Sequence, residues 1–165
     1  YYASGRPVVS LNGDGGFQMN IQELQFIARE NLPIKIIVFN NYALGMLRHF
    51  QEMYFDRRYI HTTRDSGYTV PDFGKIAAAY GLDYYFYDDT KSFDGVFMAN
   101  NRPALIEIAI DHDTAVIPKA RFGSPAQDQE PLIDRNLYDY IMNLGRYTKK
   151  YACQTSKYAL RGVGM

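Results

Sequence analysis

Asp14 and Asn41 are the two side chains whose type and setting point most directly to chemistry. Asp14 lies in Gly13-Asp14-Gly15-Gly16, at the end of the apolar run Val8-Val9-Ser10-Leu11, and Asn41 follows Asn40 at the end of Ile34-Lys35-Ile36-Ile37-Val38-Phe39. A carboxylate and a neutral amide oxygen are too few to cage a cation. They suit Mg²⁺, which shares its shell with phosphates and water. Gly13, Gly15 and Gly16 let backbone N–H groups approach an anion closely. The ligand implied is a magnesium-bound diphosphate.

Both apolar runs are rich in β-branched residues, as expected of strands buried on both faces of a parallel sheet. The first is expected from about Pro7 to Asn12. Between them Phe17, Ile21, Leu24 and Ala28 recur at helical spacing, with Gln22, Glu23, Arg29 and Glu30 opposite. Asn20 and Glu23 have capping-box spacing, so a helix is expected from about Asn20 to Glu30, with Pro33 blocking its continuation. Strand, helix, strand is a βαβ crossover, and its two parallel strands finish at the same edge of the sheet. Open α/β sheets bind ligands there. Asp14 and Asn41 are thus expected at the carboxyl ends of adjacent or nearly adjacent strands.

Leu44, Leu47, Phe50 and Tyr54 mark a second helix starting beside this site, an arrangement that favours bound phosphate. Asp56 to Val70 reads as a long surface loop of functional character. Pro71-Asp72 opens a third helix, with Phe73, Ile76, Ala77 and Tyr80 on one face and Gly81 as its stop. Leu82 to Tyr87 is a third strand. Thr90 is expected to cap a short helix carrying Phe93, Val96 and Phe97, and Pro103 introduces a fourth strand, Ala104 to Ile110. Alternating strands and helices predict an α/β fold, an open, mostly parallel, doubly wound sheet with helices on both faces. Residues 1–120 are assigned to this domain and 121–165 to a C-terminal segment, in which Gly123-Ser124-Pro125 and Asp128-Gln129-Glu130-Pro131 read as an extended wrap, Leu137 to Leu144 as a short helix, and the remainder as a basic tail.

With 165 residues, 47% hydrophobic, the chain has the material of one globular domain. Its formal net charge of zero makes no overall case for nucleic acid, although Arg146, Lys149, Lys150, Lys157 and Arg161 leave a basic end. The single cysteine, Cys153, excludes an intrachain disulfide and fits a reducing compartment. Without a long apolar span or a leader pattern, the expectation is a cytoplasmic protein with no membrane and no nucleic-acid partner. Tyr1-Tyr2-Ala3-Ser4 enters the first strand almost at once, so the domain is expected to be incomplete at its N-terminus.

A Gly-Asp-Gly alone is a turn and an Asn-Asn pair alone is a loop. Together, after consecutive strands joined by one crossover, Gly13-Asp14-Gly15 and Asn40-Asn41 resemble the thiamine-diphosphate motif. Gly15-Gly16-Phe17-Gln18-Met19-Asn20-Ile21-Gln22-Glu23-Leu24 and Asn40-Asn41-Tyr42-Ala43-Leu44-Gly45-Met46-Leu47 resemble the C-terminal cofactor-binding domain of acetolactate synthase large subunits and their relatives, from about Gly5 to Lys119. The resemblance implies Mg²⁺ on Asp14, Asn41 and the backbone oxygen of Ala43. It implies cofactor contacts at Gly13, Gly15, Gly16, Leu44 and Gly45, with Met46 near the cofactor rings and Leu47 and Phe50 in a substrate channel. The channel positions depart from the Val and Trp typical of the family. The implied activity is decarboxylation of a small 2-oxo acid such as pyruvate and carboligation, of the transferase or lyase type, in branched-chain amino acid biosynthesis. A 2-oxo-acid decarboxylase or another carboligase stays open. The resemblance also implies a homo-oligomer in which a pyrimidine-binding domain, from a second subunit, supplies the activating glutamate. No catalytic residue is assigned here, and the chain alone is expected to be a non-catalytic cofactor-binding piece.

Other motifs fail or read as structural. G-x-G-x-x-G would need glycine where Gln18 stands, and there is no Walker A pattern, nucleophile elbow or H-E-x-x-H. His112, between Asp111 and Asp113, reads as an ordinary loop histidine. His49 and His61 lie nearer the expected cleft, where an imidazole could move protons. Tyr80, Tyr84, Tyr85, Phe86 and Tyr87 read as packing, Glu107 as an edge or paired carboxylate, and Glu52 as a surface or edge one.

Overall fold

The computed structural model describes residues 1–2, 5–92, 94–120, 123–124 and 128–151. The expectations for Phe93, Pro125, Cys153, Lys157 and Arg161 fall outside them. The chain forms two compact units, Tyr1–Ala115 and Val116–Met165.

In the first unit four parallel strands, β1 (Val8–Gly13), β2 (Ile34–Asn40), β3 (Asp83–Tyr87) and β4 (Ala104–Ala109), form one open sheet in the order β1-β2-β4-β3. Val8 pairs with Ile34 and Gly13 with Phe39, so β1 and β2 are direct neighbours that end together. Alternation along the strands divides the core. Ile36, Val38 and Leu105 face a cluster with Phe17 of α1 (Asp14–Gln18), Leu24 of α2 (Leu24–Arg29) and Phe73 and Ala77 of α4 (Phe73–Tyr80). On the opposite face Ile37, Ala104, Ile106 and Tyr87 gather round Phe97, in the turn of 3₁₀ helix Val96–Met98. β2 is buried almost throughout. β1 is not, because it is an edge strand whose second face is bare: Val9 is 46% and Leu11 65% exposed.

Capping explains where the elements begin and end. Asp72 accepts the Lys75 N–H at 3.0 Å at the start of α4, and Gly81, at φ 76°, ends it in the left-handed conformation that only glycine adopts without strain. Asn20 makes no side-chain cap. The segment read as one helix is α1, a 3₁₀ turn at Ile21–Glu23 and α2, because the chain already turns helically at Asp14. Thr90 does not cap a helix either: its N–H and hydroxyl both donate to Asp88, and Gly95 begins the Val96–Met98 turn.

The second helix, α3 (Gly45–Tyr54), turns its apolar residues outward. Its buried residues are Arg48 and His49, while Met46, Leu47, Phe50 and Tyr54 lie on its exposed side. Arg48 is drawn inward because its guanidinium donates to the His112 carbonyl, lies 3.2 Å from Asp113 and meets Glu52 one turn away at 3.5 Å.

In the second unit Lys119 and Glu130 exchange backbone hydrogen bonds of 2.6 and 2.8 Å, and α5 (Arg135–Tyr151) is longer than the expected Leu137 to Leu144. Among the described residues no helix is long and apolar enough to cross a membrane.

Candidate functional site

The parallel ends of β1 and β2 position the site. Asp14 is the first residue of α1, directly after β1, and only 3% exposed; Asn41 follows β2 and is 9% exposed. Asp14 Oδ1 accepts the Gly15 N–H at 2.7 Å and Oδ2 the Ala43 N–H at 3.2 Å. Asn41 Oδ1 accepts that same Ala43 N–H at 3.3 Å. A carboxylate oxygen and an amide oxygen, each carried by the residue that follows one of two adjacent strands, therefore converge on one proton.

Burial raises the Asp14 carboxyl above its ordinary range, opposed by the N–H groups of Gly15 and Ala43 and by the Tyr68 hydroxyl. Tyr68 is pushed up to about 12 by burial and by the Asp14 charge, and Gln18 donates to its oxygen at 3.3 Å. Among the described residues, the groups that chiefly act on Asp14 are thus backbone N–H groups and a phenol. A buried carboxylate beside a second hard oxygen suits Mg²⁺ better than a softer metal. Among the described residues no group of three His, Cys, Asp or Glu could hold a metal, so a cation here would complete its shell with the Ala43 carbonyl and with ligand or water oxygens. Asp14, Asn41 and Ala43 thus fit a magnesium-bound diphosphate.

The turn between β2 and α3 carries local strain. Tyr42 has φ 55°, unusual for a residue with a side chain, and the Arg64 guanidinium lies over its ring at 4.7 Å. Asn40 Oδ1 accepts the Tyr42 N–H at 3.0 Å. The Leu44 N–H donates to Thr62 O at 2.8 Å and the Gly45 N–H to Ala43 O at 2.9 Å, so both are used within the protein. Leu44, the residue before α3, provides no side-chain cap to the first-turn N–H groups, which leaves that helix start suited to an anion.

The glycines serve by leaving space, since none of Gly13, Gly15, Gly16 and Gly45 has positive φ. A Cβ on Gly13 or Gly16 would enter open space, one on Gly15 would run into the Leu44 side chain at 2.4 Å, and one on Gly45 would press on Asn41 Nδ2 at 3.2 Å. Leu47 and Phe50 line a hollow of about 480 Å³ with Leu44, Phe55, Ile60 and His61, whereas Met46 is exposed outside that lining.

Several contributors escaped the sequence reading. The loop from Asp56 to Val70 is partly buried: Thr62 and Thr63 are 2% and 6% exposed, Thr63 bridges Ala43, and Tyr68 reaches Asp14. Its local signal was the capping box of Thr63 with Ser66, followed by Gly67 at φ 100°. His112 is more than a loop histidine, because its Nδ1 lies 3.2 Å from the Asn41 carbonyl. Glu52 is tied to Arg48 and accepts the Tyr59 hydroxyl at 2.9 Å. Glu107, expected to be an edge or a paired carboxylate, is not at an edge: it stands on β4 between β2 and β3 and is 6% exposed, because strand order rather than sequence order decides which strand is central.

Residues 2–108 match the family model for the thiamine pyrophosphate enzyme, C-terminal TPP binding domain. The acetolactate synthase large subunit of Pyropia yezoensis is 36% identical over 110 residues, covering 67% of this chain and 17% of that protein. The Escherichia coli K12 acetolactate synthase isozyme 2 large subunit is 35% identical over 114 residues, 67% of this chain and 20% of that protein. Among solved structures, the thiamine diphosphate-dependent 4-hydroxybenzoylformate decarboxylase of Rhodococcus jostii RHA1 superposes with a TM-score of 0.58 at 30% identity, over 68% of this chain and 21% of that one. The chain spans only about a fifth of the length of these relatives. With that match running from the residues before β1 through β4, the chain belongs to the thiamine pyrophosphate enzymes, as their C-terminal thiamine-pyrophosphate-binding domain.

Proposed function

We propose that the protein carrying this chain binds Mg²⁺-thiamine diphosphate through Asp14, Asn41 and the Ala43 carbonyl and acts on small 2-oxo acids as an acetolactate synthase-like enzyme. The observation that carries this reading is the meeting of Asp14 Oδ2 and Asn41 Oδ1 at the Ala43 N–H, at 3.2 and 3.3 Å. When bound, the cofactor supplies an electron sink for decarboxylation and carbon–carbon bond formation. The chain's own residues bind and orient. Asp14 provides the charged ligand, the Gly13-to-Gly16 backbone leaves room for the diphosphate, and the first turn of α3 offers N–H groups to it. The buried Thr62 and Thr63 close the turn behind Ala43, Thr63 by its bridge to Ala43 and Thr62 by accepting the Leu44 N–H.

The aminopyrimidine end of the cofactor is assigned to a partner, a pyrimidine-binding domain of a second subunit in a homo-oligomer. The exposed Met46, Leu47, Phe50 and Tyr54 of α3 support such a covering surface. The isolated 165 residues are then a cofactor-binding module without turnover.

A second reading, a 2-oxo-acid decarboxylase, draws on the likeness to the 4-hydroxybenzoylformate decarboxylase and on the apolar lining of the hollow beside Leu44. Assay of the full protein with Mg²⁺ and thiamine diphosphate, on pyruvate alone and on aryl 2-oxo acids, separates the two. Acetolactate from pyruvate supports the first reading, and aldehyde with CO₂ but no acetolactate supports the second. Absence of thiamine diphosphate binding in calorimetry overturns both.

A further inference from the structure

Glu107 is a buried carboxylate that the binding scheme above does not use. Its place on β4 opposite Val38 of β2 and Phe86 of β3 puts it on the same sheet face as Asn40 and Tyr84, each two residues along its own strand. Both reach it. Asn40 Nδ2 donates to Oε1 at 2.7 Å, and the Tyr84 hydroxyl donates to Oε2 at 2.5 Å.

The consequence falls on Asn40, which is 1% exposed. A side-chain amide has one donor end and one acceptor end, and a carboxylate accepts only. With the NH₂ turned to Glu107, the Asn40 oxygen is the end that faces the Tyr42 N–H, which it accepts at 3.0 Å. That bond fastens Tyr42 in its left-handed conformation, φ 55°, a state that needs outside support in a residue with a Cβ. Tyr42 lies between Asn41 and Ala43, so its conformation sets how the backbone carrying Asn41 and the backbone carrying the Ala43 carbonyl are turned relative to each other.

We propose that Glu107 is a positioning residue for magnesium binding: through Asn40 it fixes the shape of the Asn41–Ala43 turn without touching metal, cofactor or substrate. This inference rests on the Mg²⁺-thiamine diphosphate reading and adds the group that holds the ligands in place. Tyr84 is the second support, since it takes the other oxygen and locks the carboxylate's rotation.

The test is made on the full protein with Mg²⁺ and thiamine diphosphate as probes. Mg²⁺ affinity is measured by calorimetry at saturating thiamine diphosphate, beside the thermal midpoint without either. Glu107→Met, which removes both acceptors, is expected to weaken Mg²⁺ at least about tenfold, the usual lower end for loss of a group that orients a metal ligand. Glu107→Gln presents the same oxygen to Asn40 and can donate to Tyr84, so it is expected to restore affinity to within about threefold of wild type. A role confined to packing would lower the midpoint of both variants without that difference in Mg²⁺ affinity. Asn40→Ala cuts the relay at the last residue of β2. It is expected to reproduce the tenfold loss, and it carries the test if Glu107→Met does not fold. Wild-type affinity in Glu107→Met or Asn40→Ala, or equal damage in Glu107→Gln and Glu107→Met, overturns the proposal while the cofactor reading stands. Failure of the wild-type protein to bind Mg²⁺ and thiamine diphosphate overturns that reading and this inference with it.

Discussion

Asp14 is buried, and burial pushes its carboxyl above the ordinary range, a costly setting for a charge unless a cation completes it. Replacing an outer group that merely orients a metal ligand costs about 10- to 100-fold in affinity, so removing the charged ligand itself is expected to cost more than about 100-fold. Asp14→Ala should therefore lose Mg²⁺-dependent thiamine diphosphate binding in calorimetry while the far-ultraviolet circular dichroism of the fold persists. Unchanged affinity would remove Asp14 from the site. Gly45→Ala makes a finer test at the same scale. Its new Cβ would stand 3.2 Å from Asn41 Nδ2, so the amide must give way, and Mg²⁺ affinity should fall several-fold with little change in thermal midpoint.

At the level of elements, α4 depends on Asp72, whose carboxyl is held below its ordinary range chiefly by the Lys75 N–H it accepts. A depressed folded-state pKa means that the ionised form favours the folded state. The contribution is fully present above the unfolded value of about 3.9 and disappears as pH falls through the lower folded value. Asp72→Ala should thus lower the thermal midpoint at pH 7, with the gap to wild type closing in acid below about pH 4. A gap that is the same at pH 7 and pH 3 would show that the cap's charge is irrelevant. This helix was readable locally because both of its ends are set by neighbours in sequence, Asp72 with Lys75 and Gly81 with Ala77 and Ala78. The orientation of α3 was not, because the partners that pull Arg48 inward include the distant His112 and Asp113.

Across the whole first unit, burial follows the strand order. Leu105 on the central β4 is fully buried, and Leu105→Ala should cost about 2 to 5 kcal/mol in urea unfolding, as large-to-small changes in cores do. Leu11 on the bare face of β1 is 65% exposed, and Leu11→Ala in the 165-residue chain should stay within about 0.5 kcal/mol of wild type. Similar losses at the two sites would contradict the strand order β1-β2-β4-β3.

The sequence by itself determined the parallel α/β class, the four strands, the ends of α4 and the meeting of Asp14 with Asn41. Each rests on periodicity, capping or a single crossover, and so on residues close along the chain. Only the tertiary structure decided that β1 is an edge and β4 is central, that Tyr68 reaches Asp14, that α3 turns its apolar side outward, and that Glu107 lies between Asn40 and Tyr84. Apolar spacing shows that a residue belongs to an element with a buried face, but carries no record of which element lies opposite. A glutamate in an apolar strand reads alike at an edge and at the centre; the sheet's register supplies the amide and the phenol that make its burial tolerable.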